Sequence, residues 1–169
     1  MEVMGTPLLQ GLPPVVDADA GVLILGSFPS VRSLADGQYY ANPRNAFWPI
    51  VTEVLGFDCT APYSRRVAAL QKSGVALWDV LHSCRRAGSA DSAIDPKCLV
   101  VNDFGALFAE YPAITRVYFN GAKAADLFER LVRITPPGFT FTRLPSTSPA
   151  NAIPRERKLA AWKVIGQSG

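Results

Sequence analysis

The residues able to do chemistry gather in short segments that each follow an apolar run. Tyr39-Tyr40-Ala41-Asn42-Pro43-Arg44-Asn45-Ala46-Phe47-Trp48 sets an aromatic pair, two amides and an arginine ahead of a helical pattern. Such a set can stack a flat ring and hydrogen-bond its edge. Asn45 is equally a good N-cap for a helix beginning at Ala46, and Phe47 and Trp48 have the character of core residues. Leu144-Pro145-Ser146-Thr147-Ser148-Pro149-Ala150-Asn151-Ala152 is a proline-braced loop of small hydroxyl side chains, expected to carry several free backbone N–H groups. It suits close approach to a phosphate backbone, or else an ordinary turn before the last helix. Gly26-Ser27-Phe28-Pro29-Ser30 is a turn with neither GxGxxG nor a phosphate-loop lysine, which removes support for a nucleotide cofactor. The single His82 has no partner for a Ser-His-Asp or Cys-His arrangement and reads as surface or structural.

The elements that must position these segments alternate. Gly21 to Gly26 is a continuous apolar run too short for a helix and closed by glycine, the pattern of a strand buried on both faces. Runs at Gly74 to Trp78, Arg116 to Phe119 and Phe139 to Leu144 repeat the theme. Helical spacing separates them at Ala46 to Leu55, Ser64 to Lys72, Asp103 to Glu110 and Ala122 to Val132, with a last helix from Pro154 to Val164. Strands alternating with helices imply parallel pairing through right-handed crossovers, hence a three-layer α/β/α sandwich around a mainly parallel four-stranded sheet. Ligands of such sheets bind beyond the carboxyl ends of the strands. The segments after each strand are therefore the ones to search, including Trp78-Asp79 and Asn120 to Lys123.

Composition bounds the answer. At 169 residues and 49% hydrophobic, the chain is expected to form one domain over residues 1–169, with residues 1–19 an irregular Pro- and Gly-rich lead-in. No long apolar run suggests a membrane span, and Glu2 and Asp17 do not suit a signal peptide. An intracellular protein is expected. Cys59, Cys84 and Cys98 show no CxxC spacing, which argues against a disulfide framework, a zinc site or a four-cysteine iron–sulfur cluster. Arginines outnumber lysines 12 to 5 in a chain of net charge +3, a bias compatible with phosphate contacts.

Taken together, LILGSFPS (Leu23 to Ser30), YYANPRNAFW (Tyr39 to Trp48), GVALWDVL (Gly74 to Leu81), GSADSAI (Gly88 to Ile94), FNGAKA (Phe119 to Ala124) and LPSTSPANA (Leu144 to Ala152) resemble the hypoxanthine-DNA glycosylase branch of the uracil-DNA glycosylase superfamily. That branch stands next to the mismatch-specific uracil/thymine glycosylases. The six blocks occur in order from about Pro13 to the last helix.

The resemblance implies a monofunctional DNA glycosylase of base excision repair that cuts the N-glycosidic bond of a flipped, deaminated base in DNA, hypoxanthine first. No metal or cofactor is implied, and a nucleoid-associated monomer is expected. The first motif, Gly26 to Ser30, carries Phe28 where most branches hold a water-positioning Asn or Asp. In the hypoxanthine branch the essential amide comes instead from a segment like Asn42-Pro43-Arg44-Asn45, which makes Asn45 the leading catalytic candidate and Asn42 the second. Asp79 is a third, as a carboxylate assistant, with Asp36 a further acid to test. Phe28, Tyr40, Trp78 and Asn120 fall in the base pocket, Tyr40 as the ring that stacks on the extruded base. Pro29, Ser30, Arg44, Ser146, Thr147, Ser148, Asn151 and Arg155 fall on the DNA side, with Arg143 a further phosphate contact. Leu144 replaces the His or Asn that usually leads the second motif. The alternatives are a uracil or mismatch glycosylase, a non-catalytic damage-binding protein, and a hydrolase of free nucleosides.

Overall fold

The computed structural model describes residues 6–167. In chain order the elements are β1 (Leu8–Gln10), β2 (Val22–Gly26), α1 (Val31–Asp36), α2 (Phe47–Leu55), α3 (Tyr63–Lys72), β3 (Val75–Asp79), β4 (Leu81–Arg86), β5 (Ile94–Val101), α4 (Phe104–Glu110), β6 (Arg116–Asn120), α5 (Ala122–Leu127), β7 (Thr140–Leu144) and α6 (Arg155–Trp162). A wider π turn, Phe128–Val132, extends α5, and a 3₁₀ turn over Lys163–Gly166 follows α6.

Four strands form the expected parallel sheet in the order β3-β2-β6-β7. All five residues of β2 are buried, because the strand is central and covered on both faces. Its alternation splits the core in two. Leu23 and Leu25 pack with Val117 and Phe119 under α4 and α5, whereas Val22 and Ile24 pack with Leu77 and Tyr118 under α2, α3 and α6. Helices on both faces of the sheet give the three-layer arrangement.

Two expectations about the periphery are corrected. The lead-in is not wholly irregular, for Leu8–Gln10 is a strand pairing antiparallel with β4, and Val15 bridges Leu77 at the edge of the main sheet. The stretch after β3, for which no strand was expected, forms the antiparallel pair β4 and β5, giving a second sheet ordered β1-β4-β5. Its apolar alternation is hidden in the sequence because His82, Ser83, Arg85 and Arg86 interrupt it, although Ser83, Cys84 and Arg86 are buried. The short α1 was also unforeseen; Ser30 caps it by accepting the Ser33 N–H at 3.1 Å. Among the described residues no helix is long and apolar enough to cross a membrane.

The register sets the ends of the parallel strands side by side. Gly26 lies opposite Asp79, and Asn120 opposite Leu144. Chain segments leave these four ends on one side of the sheet and enclose a cleft.

Candidate active site

The cleft has a volume of about 610 Å³. Its floor is Gly26, Asp79 and Asn120 at the strand ends, and its walls are the segments 27–33, 39–45, 89–92 and 146–151. Among the described residues no lysine or arginine lines it; the ionisable carboxylates in its wall are Asp79 and Asp91.

One wall is built around Tyr40. Its φ of 55° is a left-handed conformation that an aromatic residue adopts only when the surroundings force it. Several contacts do so. Trp48 Nε1 donates to the Tyr39 carbonyl at 2.9 Å, the Tyr63 hydroxyl accepts from Tyr39 N at 2.9 Å, and Ser33 Oγ accepts from Ala41 N at 3.1 Å. The Tyr40 ring stacks on buried Phe47 with centroids 3.8 Å apart and planes 10° from parallel. Burial, with the Asp79 charge adding, holds the Tyr40 hydroxyl well above the usual phenol range, so it stays protonated.

The two amides are set by their own turns. Asn42 Oδ1 accepts the Arg44 N–H at 3.0 Å, and Asn45 Oδ1 accepts the Phe47 N–H at 2.9 Å. The formal start of α2 is thus one residue later than expected, with Ala46 at the cap position and Asn45 serving the first helical N–H. Both residues line the cleft. With each Oδ1 engaged, what each amide has left to offer a ligand is chiefly its NH₂ donor.

Asn120 is a brace. Its Oδ1 accepts the Thr147 N–H at 2.9 Å, while its Nδ2 donates to Thr147 Oγ1 at 2.9 Å and to the Tyr40 hydroxyl at 3.2 Å. Both ends of the amide are therefore occupied before any base arrives. Thr147, only 1% exposed, also accepts the Ala46 N–H through its carbonyl at 3.0 Å. These bonds lock the 146–151 loop to the segment that carries Asn45.

That loop differs from expectation. The N–H groups of Thr147, Ser148, Ala150 and Asn151 all find acceptors within the chain, so few are free for phosphate. The hydroxyls of Ser146 and Ser148 each accept from a backbone N–H and keep their own O–H to donate. Asn151 faces inward, its Nδ2 donating to the Ser146 carbonyl at 3.0 Å. Sequence reasoning missed Lys158, a buried lysine of α6 whose Nζ donates to the carbonyls of Ser148 at 3.2 Å and Asn151 at 3.0 Å.

Asp79 is 5% exposed, and its Oδ2 is buried without a hydrogen-bond partner. Burial pushes its carboxyl up to about 7, against the pull of Arg86 and with the charge of Asp91 adding. Arg86 was also missed. Its Nη2 donates to the Pro29 carbonyl at 2.7 Å and its Nε to the Gly88 carbonyl at 2.6 Å, and its guanidinium lies 5.2 Å from the centre of the Phe28 ring. It clamps together the two segments that carry Phe28 and Asp91. Ser27 Oγ donates to Asp91 Oδ1 at 2.6 Å across the same seam.

Trp78 is not at the cleft. Successive strand residues face opposite ways, so placing Asp79 in the floor turns Trp78 to the other face, where it packs on Phe104 and donates to the Leu12 carbonyl at 3.2 Å. Asp36 is likewise elsewhere, paired at the surface with Arg32 at 3.6 Å. His82 is exposed. Phe28, Pro29 and Ser30 line the cleft, while Arg44, Arg143 and Arg155 are exposed outside its lining.

A polar cleft at the carboxyl ends of a parallel sheet, floored by a buried carboxyl and walled by two amides and an aromatic ring, is built to hold a flat, hydrogen-bonding group. The sequence profile of the Uracil DNA glycosylase superfamily matches residues 13–166. A Hypoxanthine DNA glycosylase of Methanosarcina acetivorans is 35% identical over 157 residues, 92% of this chain and 96% of the relative. Another of that name from Methanosarcina barkeri is 34% identical over 154 residues, 90% and 94% of the two chains. The solution NMR structure of a candidate uracil DNA glycosylase from Methanosarcina acetivorans superposes with a TM-score of 0.81 at 34% identity, covering 95% of this chain and 97% of that one. The chain belongs to the uracil DNA glycosylase superfamily, and its class is that of the DNA glycosylases, hydrolases acting on N-glycosyl bonds.

Proposed function

We propose that this chain is a monofunctional DNA glycosylase of base excision repair whose preferred base is hypoxanthine. Two relatives matched over 96% and 94% of their length carry that name, and the observation that carries the reading is the pair of amides in the cleft lining, Asn42 and Asn45, each fixed through Oδ1 with its NH₂ left without a partner in the chain. The base, flipped out of the duplex, enters between Phe28 and Tyr40. Stacking on such rings contributes about 1–3 kcal/mol per base and offsets part of the cost of unstacking.

As the bond from C1′ to the base nitrogen breaks, its electron pair leaves with the base and positive charge builds on the sugar. A dry site that hydrogen-bonds the departing ring lowers this barrier. Asn45 donates to the base edge and helps set the attacking water; Asn42 is the second donor. Neither is a base at neutral pH. Ser146 and Ser148 hydroxyls, with Pro29 and Ser30 opposite, approach the DNA backbone, and the exposed Arg44, Arg143 and Arg155 supply charge outside the cleft. On this proposal the protein acts as a monomer on the DNA of the nucleoid.

The test is base release, read by alkaline strand scission, from one labelled oligonucleotide carrying hypoxanthine, uracil or xanthine in turn, single-stranded and opposite each partner base. Hypoxanthine is expected to be released fastest. Release of uracil alone would move the protein to the mismatch branch, and binding without release would make it a damage-binding protein.

A further inference from the structure

The floor of the cleft contains an acid with no protein partner to hold it ionised. Among the described residues no cation lies within ion-pair distance of Asp79, and Oδ2 has no hydrogen-bond donor. The groups that act on it are the Tyr39 and Tyr40 hydroxyls on one side, both held protonated by burial, and Arg86 and Asp91 on the other. Arg86 gives its Nη2 and Nε to the Pro29 and Gly88 carbonyls, and its Nη1, buried without a partner, makes no hydrogen bond or ion pair with Asp79. The carboxyl stands in space that Gly26 leaves empty, at the base of the cleft.

Resting on the reading of this cleft as the site of base release, we propose that Asp79 works as an un-ionised carboxylic acid whose O–H donates to the carbonyl oxygen of the leaving base. The substrate class this selects is an oxo-base, one with a ring N–H beside a carbonyl. An un-ionised carboxyl has one donor and one acceptor, which match that carbonyl and that N–H together. The carbonyl oxygen also gathers part of the electron pair that the base takes from C1′. A neutral donor there becomes stronger as the bond breaks, whereas an ionised carboxylate would repel the same charge. Asp79 keeps its proton throughout. Water adds hydroxyl to C1′, and the proton it gives up ends on the departed base through solvent, so base and sugar both leave neutral. A carboxyl that titrates near 7 is available in this form at physiological pH and below.

The experiment is single-turnover release from hypoxanthine-containing DNA between pH 5.5 and 9 for the wild type, Asp79→Asn and Asp79→Leu. The wild-type rate is expected to be level in acid and to fall about tenfold per pH unit above the carboxyl's titration. Asp79→Asn, which keeps a neutral donor and acceptor at every pH, is expected to stay within about tenfold of the wild-type plateau and to lose the pH dependence. Asp79→Leu is expected to lose about 100-fold or more at every pH. A second measurement needs no variant: affinity for DNA bearing an uncleavable 2′-fluoro inosine must weaken from pH 6 to pH 8. A wild-type rate level or rising through pH 7, or equal loss in the two variants when both fold and bind DNA, overturns the proposal. If the wild type releases uracil and not hypoxanthine, the preferred base is misread, but the same pH series on uracil DNA still decides the role of Asp79, because uracil offers the same carbonyl and N–H.

Discussion

Asp79 occupies the place that a side chain at residue 26 would need. A Cβ on Gly26 would stand 2.5 Å from Asp79 Oδ1 and 3.4 Å from the Tyr40 hydroxyl. The glycine is required by close approach, since Gly26 does not have positive φ. Parallel pairing puts these two strand ends in register, and the missing Cβ lets the carboxyl lean into the cleft.

Gly26→Ala should therefore force Asp79 or Tyr40 aside. Overpacking of this kind costs about 1–3 kcal/mol. Base release should fall further than stability does, by about tenfold or more, because the displaced groups line the cleft. Urea denaturation and single-turnover kinetics on the same preparation measure both. The double variant Gly26→Ala, Asp79→Gly should regain stability without regaining activity; additive losses in the double variant would contradict the contact.

Asp79 also makes stability depend on pH. Folding raises its carboxyl from an ordinary 3.8 to about 7. A carboxyl so raised gives its full contribution below the unfolded value and loses it as pH climbs through the folded one. Its share of the unfolding free energy should thus decline between about pH 4 and pH 7, by no more than about 4 kcal/mol. Asp79→Asn should lack that decline. Comparing the two proteins by urea denaturation at pH 4.5, 6 and 8 separates Asp79 from groups with the opposite slope, such as Asp58, which hydrogen bonds from Thr60 hold below the usual carboxylate range. An equal pH dependence in both proteins would contradict the assignment.

Lys158→Met should unfasten the 146–151 loop. The methionine keeps the apolar stem but leaves the Ser148 and Asn151 carbonyls without their ammonium donor, a loss of about 2–4 kcal/mol. DNA affinity should fall about tenfold or more as the Ser146 and Ser148 hydroxyls lose their placement, measured by fluorescence anisotropy at fixed salt. Unchanged affinity would mean that the loop holds its shape without Lys158.

What could be read from the sequence follows from the range of the interactions involved. The run from Gly21 to Gly26 announces a central strand because burial on both faces acts on each residue locally. The amides at Asn42 and Asn45 stand out because polar residues cluster just after a strand. β4 and β5 were hidden because the burial of Ser83, Cys84 and Arg86 depends on β1 and β5 lying beside them, which local alternation does not encode. Lys158 reads as one solvated lysine on a charged helix until the loop is folded over it. Asn120 shows the same limit: its residue type fits a base reader, whereas its bonds to Tyr40 and Thr147 make it a brace. Trp78 was misplaced in the base pocket although strand alternation argued against it, since two adjacent strand residues cannot both face one cleft.

The proposed release of hypoxanthine turns on the amide of Asn45. Single-turnover release from hypoxanthine-containing DNA by the wild type and by Asn45→Ala, with DNA affinity taken in parallel, decides whether it does. Release by the wild type, loss of about 100-fold or more in the variant and nearly unchanged affinity are expected. Wild-type-like release by Asn45→Ala would contradict that role and shift the chemistry to Asn42 or Asp79.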